Sequence, residues 1–377
     1  MTRVWQATGT AATAVAAVSL CAALVSAQAP AERPQLAEDV FTNVQMLRGI
    51  PVKQFMGTMG MFSASTGMNC IECHVEESGG DWARYADETD LKRTTRRMIT
   101  MVNGLNQTFF GGRRVVTCYS CHRGSNRPVV VPELDVQYGE PIVREPDEIV
   151  ADAAGEPSPD QILDGYLQAI GGAERLAGVT SFVATGTYQG YDDYEKSPLE
   201  VYARAPGQRA TVVQGAFGES AWVFDGRNGW VAAPRAVAPV PVMPLTGGDL
   251  GGARVEAELA FPARIKQMLV EWRVGFPLAI DGDRELRVVQ GKLTAGGLPI
   301  KLYFDPETNL LVRLVYYNDT PVGRIPTQID YADYRDVAGI RMPFKWTTTW
   351  TDGRSIAEIT AIRTNVAVDA SRFSRPR

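Results

Sequence analysis

Apolar positions recur at helical spacing in the first part of the chain and at strand spacing in the rest. Val40, Phe41, Val44 and Leu47 follow one another at one, three and three residues, which predicts an amphipathic helix over Glu38 to Gly49, stopped by Gly49 and Pro51. Val52 to about Phe62 reads as a second helix, with Phe55, Met56, Met59 and Phe62 on its inner face. Asp87 or Thr89 can cap a third, from about Asp90 to Leu105, whose stripe is Leu91, Met98, Met101, Val102 and Leu105. Five prolines between Pro128 and Pro157 then punctuate a stretch of Pro, Val and acids, an extended linker or a strap over the first domain. Ser158-Pro159 opens another helix, capped by Ser with Pro at its first position; Ile162, Leu163, Tyr166, Leu167 and Ile170 form its stripe, and Gly171-Gly172 ends it.

From Thr180 the pattern is largely strand. Phe182 to Tyr188, Leu199 to Ala205, Ala221 to Phe224, Leu286 to Val289, Ile300 to Phe304, Leu310 to Tyr317 and Phe344 to Thr351 are rich in β-branched and aromatic residues. Asp225-Gly226, Asn228-Gly229, Asn318-Asp319 and Asp352-Gly353 supply turns between them. One helical interruption is expected at about Ala257 to Trp272. The chain thus reads as a two-domain α+β protein: a mostly α-helical domain over 35–128, a Pro-rich linker over 129–157, and an antiparallel β domain with a few helices over 158–377.

Composition adds an address. Among 377 residues, 45% are hydrophobic and 21% charged, as in an ordinary folded protein, and the net charge of -5 gives no overall argument for nucleic acid. Arg3, the apolar run Ala11 to Val25 and the small residues up to Ala27 read as a secretory signal over 1–27, cleaved after Ala27. The run is too short and too rich in alanine for a confident membrane span. Leu20 before Cys21 is too bulky for the usual lipoprotein site. A periplasmic location, with membrane association left open, is the expectation.

The candidate chemistry lies in two copies of one motif. Cys70-Ile71-Glu72-Cys73-His74 and Cys118-Tyr119-Ser120-Cys121-His122 are both Cys-x-x-Cys-His, the pattern of covalent c-type haem attachment. Two intervening residues put both sulfurs on one side of a tight turn, in reach of the two vinyl groups of one porphyrin, and the next residue presents its imidazole to iron. A redox dithiol or a zinc site would use similar residues, but His directly after the second Cys is poor spacing for tetrahedral zinc. Two haem c groups are expected. His74 and His122 are the chain's only histidines, so both are consumed as proximal ligands and bis-His ligation within the chain is impossible. Methionine is the next common ligand. Met56, Met59 and Met61 precede the first motif and Met98 and Met101 the second; Met59 lies eleven residues before Cys70 and Met98 twenty before Cys118. Any single methionine is more often core filler, but some residue must cap each iron, which favours His/Met electron carriers.

The run Asp39 to Gln45 with Leu47-Arg48-Gly49, then Phe55 and Met59, Arg96-Arg97-Met98 and Val116 to Gly124 resembles the cytochrome c subunit of photosynthetic reaction centres over about residues 37–128. The resemblance implies sixth ligands at Met59 and Met98, an electron carrier with no catalytic residue, and a partner that is a membrane-bound reaction centre or another electron-transfer complex. It departs from tetrahaem members in lacking a second pair of motifs. The later strands, with the phrase Tyr303 to Thr308, look like the lipoprotein-carrier (LolA/LppX-like) fold, which implies a half-barrel around a hydrophobic ligand or a docking domain without one. Two rival readings stay open, a dihaem peroxidase-like enzyme and an envelope hydrophobic-ligand carrier with accessory haems.

Charge separates the motifs. Cys70 to Asp90 holds seven acids (Glu72, Glu76, Glu77, Asp81, Asp87, Glu88, Asp90) against Arg84, whereas Lys92 to Arg127 holds eight bases and no acid. Some of these arginines are expected to pair with haem propionates. Positive surroundings favour reduced iron, so the second haem is expected to have the higher potential.

Overall fold

The computed structural model describes Met1 and residues 33–132, 134–139, 147–150, 152–191, 193–280 and 284–377. Nearly all of the expected leader over 1–27 lies outside the described residues. Residues 33–377 form one compact unit. Its first part is helical, with α1 (Ala37–Val40), α2 (Val52–Thr66), α3 (Cys70–Cys73), α4 (Asp90–Phe110), α5 (Cys118–His122) and α6 (Leu134–Tyr138). Next come α7 (Pro159–Ala169) and α8 (Ala173–Ala177).

The helix expected over Glu38 to Gly49 is replaced by the single turn of α1 and a loop. Local polar bonds outcompete the helix here. Asn43 is left-handed at φ 62, and its amide donates to Ala86 O at 2.7 Å and Glu88 at 2.6 Å, while the Glu38 carboxylate accepts the Gly49 N–H at 2.9 Å. In α4 the cap is Thr89, whose hydroxyl accepts the Lys92 N–H at 3.1 Å, and the helix runs to Phe110. Ser158 caps α7 as its sequence implies, accepting the Gln161 N–H at 3.3 Å.

All strands belong to one antiparallel sheet. They are β1 (Ser181–Gly190), β2 (Ser197–Arg204), β3 (Gln208–Gly215), β4 (Gly218–Phe224), β5 (Gly229–Ala232) and β6 (Val242–Pro244), then, past α9 (Gly247–Leu259), β7 (Val270–Ile280), β8 (Arg284–Lys292), β9 (Pro299–Phe304), β10 (Leu311–Thr320), β11 (Gly323–Val337), β12 (Ile340–Trp350) and β13 (Gly353–Thr364). The spatial order is β6-β5-β4-β3-β2-β1-β13-β12-β11-β10-β9-β8-β7. Two meanders therefore meet where β1 pairs with β13, and α9 links the two outermost strands.

The sheet's core lies under helices. Ile162, Leu163, Tyr166 and Leu167 of α7 and Val255 of α9 pack with Val289, Ile300, Leu302, Phe304 and Leu314 of the strands. The mid-domain helix stands about ten residues ahead of the expected Ala257 to Trp272. Pro262 opens a short 3-10 segment to Gln267, and β7 has begun by Val270. Two glycines let α9 lie on β10: a Cβ at Gly248 would collide with Tyr317 O, and one at Gly252 with the Tyr316 ring.

The Pro-rich stretch reaches the β sheet in its last part, from residue 147 onward. Gln290 exchanges side-chain hydrogen bonds with the Val150 backbone, and Ala153 N–H donates to Val274 O at 2.9 Å.

Candidate functional site

Both motifs are fastened to the C-terminal end of α2. Gly67 ends that helix in the left-handed conformation at φ 70, and only three residues separate its last residue from Cys70. The second motif returns to the same place from far along the chain, where Gly124 N–H donates to Ser65 O at 2.8 Å. A Cβ at Gly67 would meet Gly124 O, so the glycine serves both the cap and the docking of the second motif.

In the first motif, Asn69 and Glu72 form a reciprocal capping box: Asn69 Oδ1 accepts the Glu72 N–H at 3.1 Å, and Glu72 Oε2 accepts the Asn69 N–H at 2.7 Å. One helical turn then carries Cys70 and Cys73. His74 Nδ1 stands 3.2 Å from Tyr85 O, edge-on to the Tyr85 ring at 4.8 Å between centroids. Burial, with the nearby Lys92 ammonium, holds the imidazole below its usual pKa and therefore neutral. A neutral ring with Nδ1–H on a backbone carbonyl leaves the Nε2 lone pair for a metal.

The second motif repeats this in other residues. Thr117 N–H donates to Ser120 Oγ at 3.0 Å, Arg123 takes the left-handed conformation at φ 52, and His122 Nδ1 lies 3.0 Å from Ser125 O. Thus each imidazole is anchored through Nδ1. The buried Asn106 of α4 fixes the approach to this motif: its amide donates to Val116 O at 2.7 Å, and its carbonyl accepts from Val115 and Val116 N–H at 3.0 and 2.9 Å. Motif spacing does not point to Asn106. Its one signal in the sequence is a polar residue on the apolar stripe, one helical turn past Val102.

Cys70, Cys73, Cys118 and Cys121 are all free thiols. Burial pushes Cys70, Cys73 and Cys118 above the ordinary thiol range, with the Asp352 carboxylate adding to the effect at Cys70 and Glu72 and Cys70 at Cys73. Among the described residues no group of three His, Cys, Asp or Glu gathers to hold a metal, so the four cysteines and two histidines do not make a shared zinc site. The donors present are two thiols per turn and one oriented imidazole, and these fit covalent haem.

The methionines are spread along two helices. Met59 packs beside Phe55 and Phe62 in the cluster of Leu47, Met61, Ile99 and Val322 that also takes in Cys118. Met56, three residues earlier, joins Val52, Val240 and Met243 on another side of α2. Met98 lies on α4, partly buried next to the buried Ile99, and Met101 is exposed. Near α4 several charges cancel in pairs: Arg96 holds Glu88 through two hydrogen bonds at 2.8 and 2.9 Å, Arg93 pairs with Asp90, and Arg84 with Asp87 at 2.9 Å. The Arg96 and Asn43 contacts hold the Glu88 carboxyl down at about 2.

Beneath the sheet's helices lies a cavity of about 110 Å³ whose lining includes Tyr166, Phe182, Tyr331 and Trp346. Arg209 and Glu256 also face it and pair at 3.0 Å, with burial pushing the Glu256 carboxyl up against the pull of Arg209.

Residues 6–141 match the family model described as the photosynthetic reaction centre cytochrome C subunit. Curated proteins of that name are similar to this segment: that of Thermochromatium tepidum is 35% identical over 96 residues, 24% of this chain and 22% of its own length. The subunit of Roseobacter denitrificans is 32% identical over 102 residues, 25% of this chain and 27% of its own. The chain therefore spans about a quarter of the length of these relatives. Among solved structures, a LolA superfamily protein from Nitrosomonas europaea aligns over 58% of this chain and 99% of its own, at 13% identity and a TM-score of 0.40. The N-terminal segment is thus similar to part of the reaction-centre cytochrome c subunits.

Proposed function

We propose that the protein is an exported dihaem c-type cytochrome that carries single electrons between redox partners of the cell envelope. Cys70 and Cys73 would hold one haem and Cys118 and Cys121 the other by thioether bonds, with His74 and His122 as proximal ligands and Met59 and Met98 as the sixth. Bound there, the haem irons supply reversible one-electron chemistry. The chain's own work is to orient and to shield. Tyr85 O and Ser125 O hold the two Nδ1–H groups, which fixes tautomer and ring direction at both imidazoles. Asn106 and Ser65 hold the second motif on α4 and α2. The observation that carries the reading is this paired arrangement, two free thiols and one Nδ1-anchored imidazole at each motif. The partner is read as a membrane-bound reaction centre or another electron-transfer complex. Among the described residues no helix is long and apolar enough to cross a membrane.

The test is spectroscopic. Denatured protein in alkaline pyridine should show two covalent haems per chain, and the reduced native protein should not change its spectrum with carbon monoxide. An open iron that binds carbon monoxide would favour the peroxidase-like alternative. Met59→Ala and Met98→Ala should each turn one haem high-spin.

The cavity under the helices favours a second reading, in which the β domain carries a hydrophobic ligand and the haems are accessory. Its supports are the aromatic lining and the Thr211 hydroxyl, buried without a partner among the described residues and on the same side of β3 as Arg209. Lipid extracted with the purified protein would support it, and a ligand-free cavity would remove it.

A further inference from the structure

The carbonyl that anchors His74 serves a second donor. Tyr85 O stands 3.2 Å from His74 Nδ1 and accepts from the half-buried Lys92 ammonium at 2.8 Å. Lys92 donates to Asp87 O as well, at 2.7 Å, and so ties the short 3-10 turn Trp82–Ala86 to the first turn of α4. The carboxylates close to it in sequence are engaged by other cations, Asp87 by Arg84 and Glu88 by Arg96, and among the described residues Lys92 makes no ion pair. Its charge therefore falls on a peptide oxygen that also orients an expected iron ligand. Both sides of this contact are fixed by further bonds. The Tyr85 ring stacks on Trp82 at 5.2 Å, and Trp82 Nε1 donates to Arg235 O of the β5–β6 loop at 2.8 Å. On the helix side, the Thr89 hydroxyl that caps α4 donates to Cys73 O at 2.7 Å and accepts the Lys92 N–H.

We propose that Lys92 is a positioning residue of the first haem site, acting on His74 through Tyr85 O to raise the reduction potential of the haem bound at Cys70 and Cys73. The inference rests on the electron-carrier reading and adds to it a group that tunes one haem. A carbonyl that accepts Nδ1–H makes the imidazole a stronger donor to iron and so favours the ferric state. An ammonium on the same oxygen draws electron density toward itself and weakens that push. Ferric haem also carries one more positive charge than ferrous, so a nearby cation acts in the same direction. The acids of the surrounding stretch, such as Glu72 and Glu76, act oppositely, and Lys92 offsets part of their effect.

The experiment is a redox titration of the full chain with the two haems assigned. A Cys70→Ser/Cys73→Ser double variant keeps the second haem alone and identifies its wave. Lys92→Met removes the ammonium and keeps an apolar stem of similar length; Lys92→Gln is the milder variant should the first not fold. The expected result is a fall in the midpoint potential of the first haem with the second unmoved, and Lys92→Arg should return it toward the parent value. Arg93→Gln removes a neighbouring cation that pairs with Asp90 and not with Tyr85 O, and it should displace the first potential less. An equal displacement would overturn the inference, since charge alone would then account for it. So would Lys92 variants that bind both haems, keep low-spin spectra and leave the first potential unchanged or higher, while the electron-carrier reading stood. Equal movement of both potentials overturns it as well, because Tyr85 O touches one imidazole only. A parent chain with no covalent haem overturns both.

Discussion

Asn106 shows how much a single side chain decides. It closes three hydrogen bonds to the segment leading into the second motif, and it is 4% exposed. Asn106→Ala would leave backbone donors of Val115 and Val116 and an acceptor of Val116 without their partner, at a cost of about 2 kcal/mol. Urea unfolding of the variant should show that loss, with the first haem site less affected than the second. Glu88 makes the matching electrostatic case. Its folded carboxyl titrates at about 2, below its ordinary 4.5, so its stabilisation is present above the ordinary value and is lost as pH falls toward the folded one. Melting temperature followed from pH 6 to pH 2 should therefore fall less steeply in Glu88→Gln than in the parent. The cysteines and histidines are legible in the sequence because their chemistry is written in local spacing. Asn106 and Ser65 are not, because what each does depends on residues brought near only by folding.

The elements repeat this division. Ser158-Pro159 at the head of α7 acts through a partner three residues on and can be read directly from the chain, whereas at the head of α4 the sequence offers Asp87 or Thr89 and folding selects Thr89. The segment after α1 defeats periodicity, since Asn43 and Glu38 spend their polar groups on loop contacts that no apolar spacing reveals. In α9 the sequence is misleading for a different reason. Glycine weakens a helix locally, yet Gly248 and Gly252 are what allows this helix to touch β10. Gly252→Ala should thus destabilise the protein by about 1–3 kcal/mol through overpacking against Tyr316, despite alanine's better helix propensity. Chemical denaturation of that variant beside Gly104→Ala, which has open space around its Cβ, separates the two effects.

At the scale of the molecule, the helical segment and the sheet share apolar clusters. Met61 packs with Val322 at the turn between β10 and β11, and Val52 with Met243 of β6. Gln54 Nε2 donates to Asp319 O at 2.8 Å, and the Arg114 guanidinium donates to Thr320 O. The two parts should therefore melt together, with the loss of Soret absorbance coinciding with the loss of far-ultraviolet ellipticity; separate transitions would contradict the shared core. Periodicity puts the helices first and the strands after, but no local pattern announces that α2 lies on two hairpins more than 250 residues away. The charge asymmetry also looks different in three dimensions. Three ion pairs at Arg84, Arg93 and Arg96 neutralise much of the boundary and Arg114 pairs with Asp319, leaving Glu72, Glu76, Glu77 and Asp81 in the stretch of the first motif, with Lys92 beside His74, and Arg97, Arg113, Arg123 and Arg127 in the stretch of the second. A redox titration should still find the second haem higher, and an equal or lower value would refute the electrostatic assignment.

The meeting of β1 and β13 at the middle of the sheet has a practical outcome for engineering. Phe182 lies opposite Thr364, and Asn365 N–H donates to Ser181 O at 2.7 Å, so the sheet's first and last strands are stitched side by side. A short bridge between Thr180 and Asn365 would close the thirteen strands and α9 into a ring, without α7, whose Leu163 and Tyr166 belong to the core. New ends cut at the tight Gly215–Gly218 hairpin would then give a circular permutant with every strand pairing but that one intact.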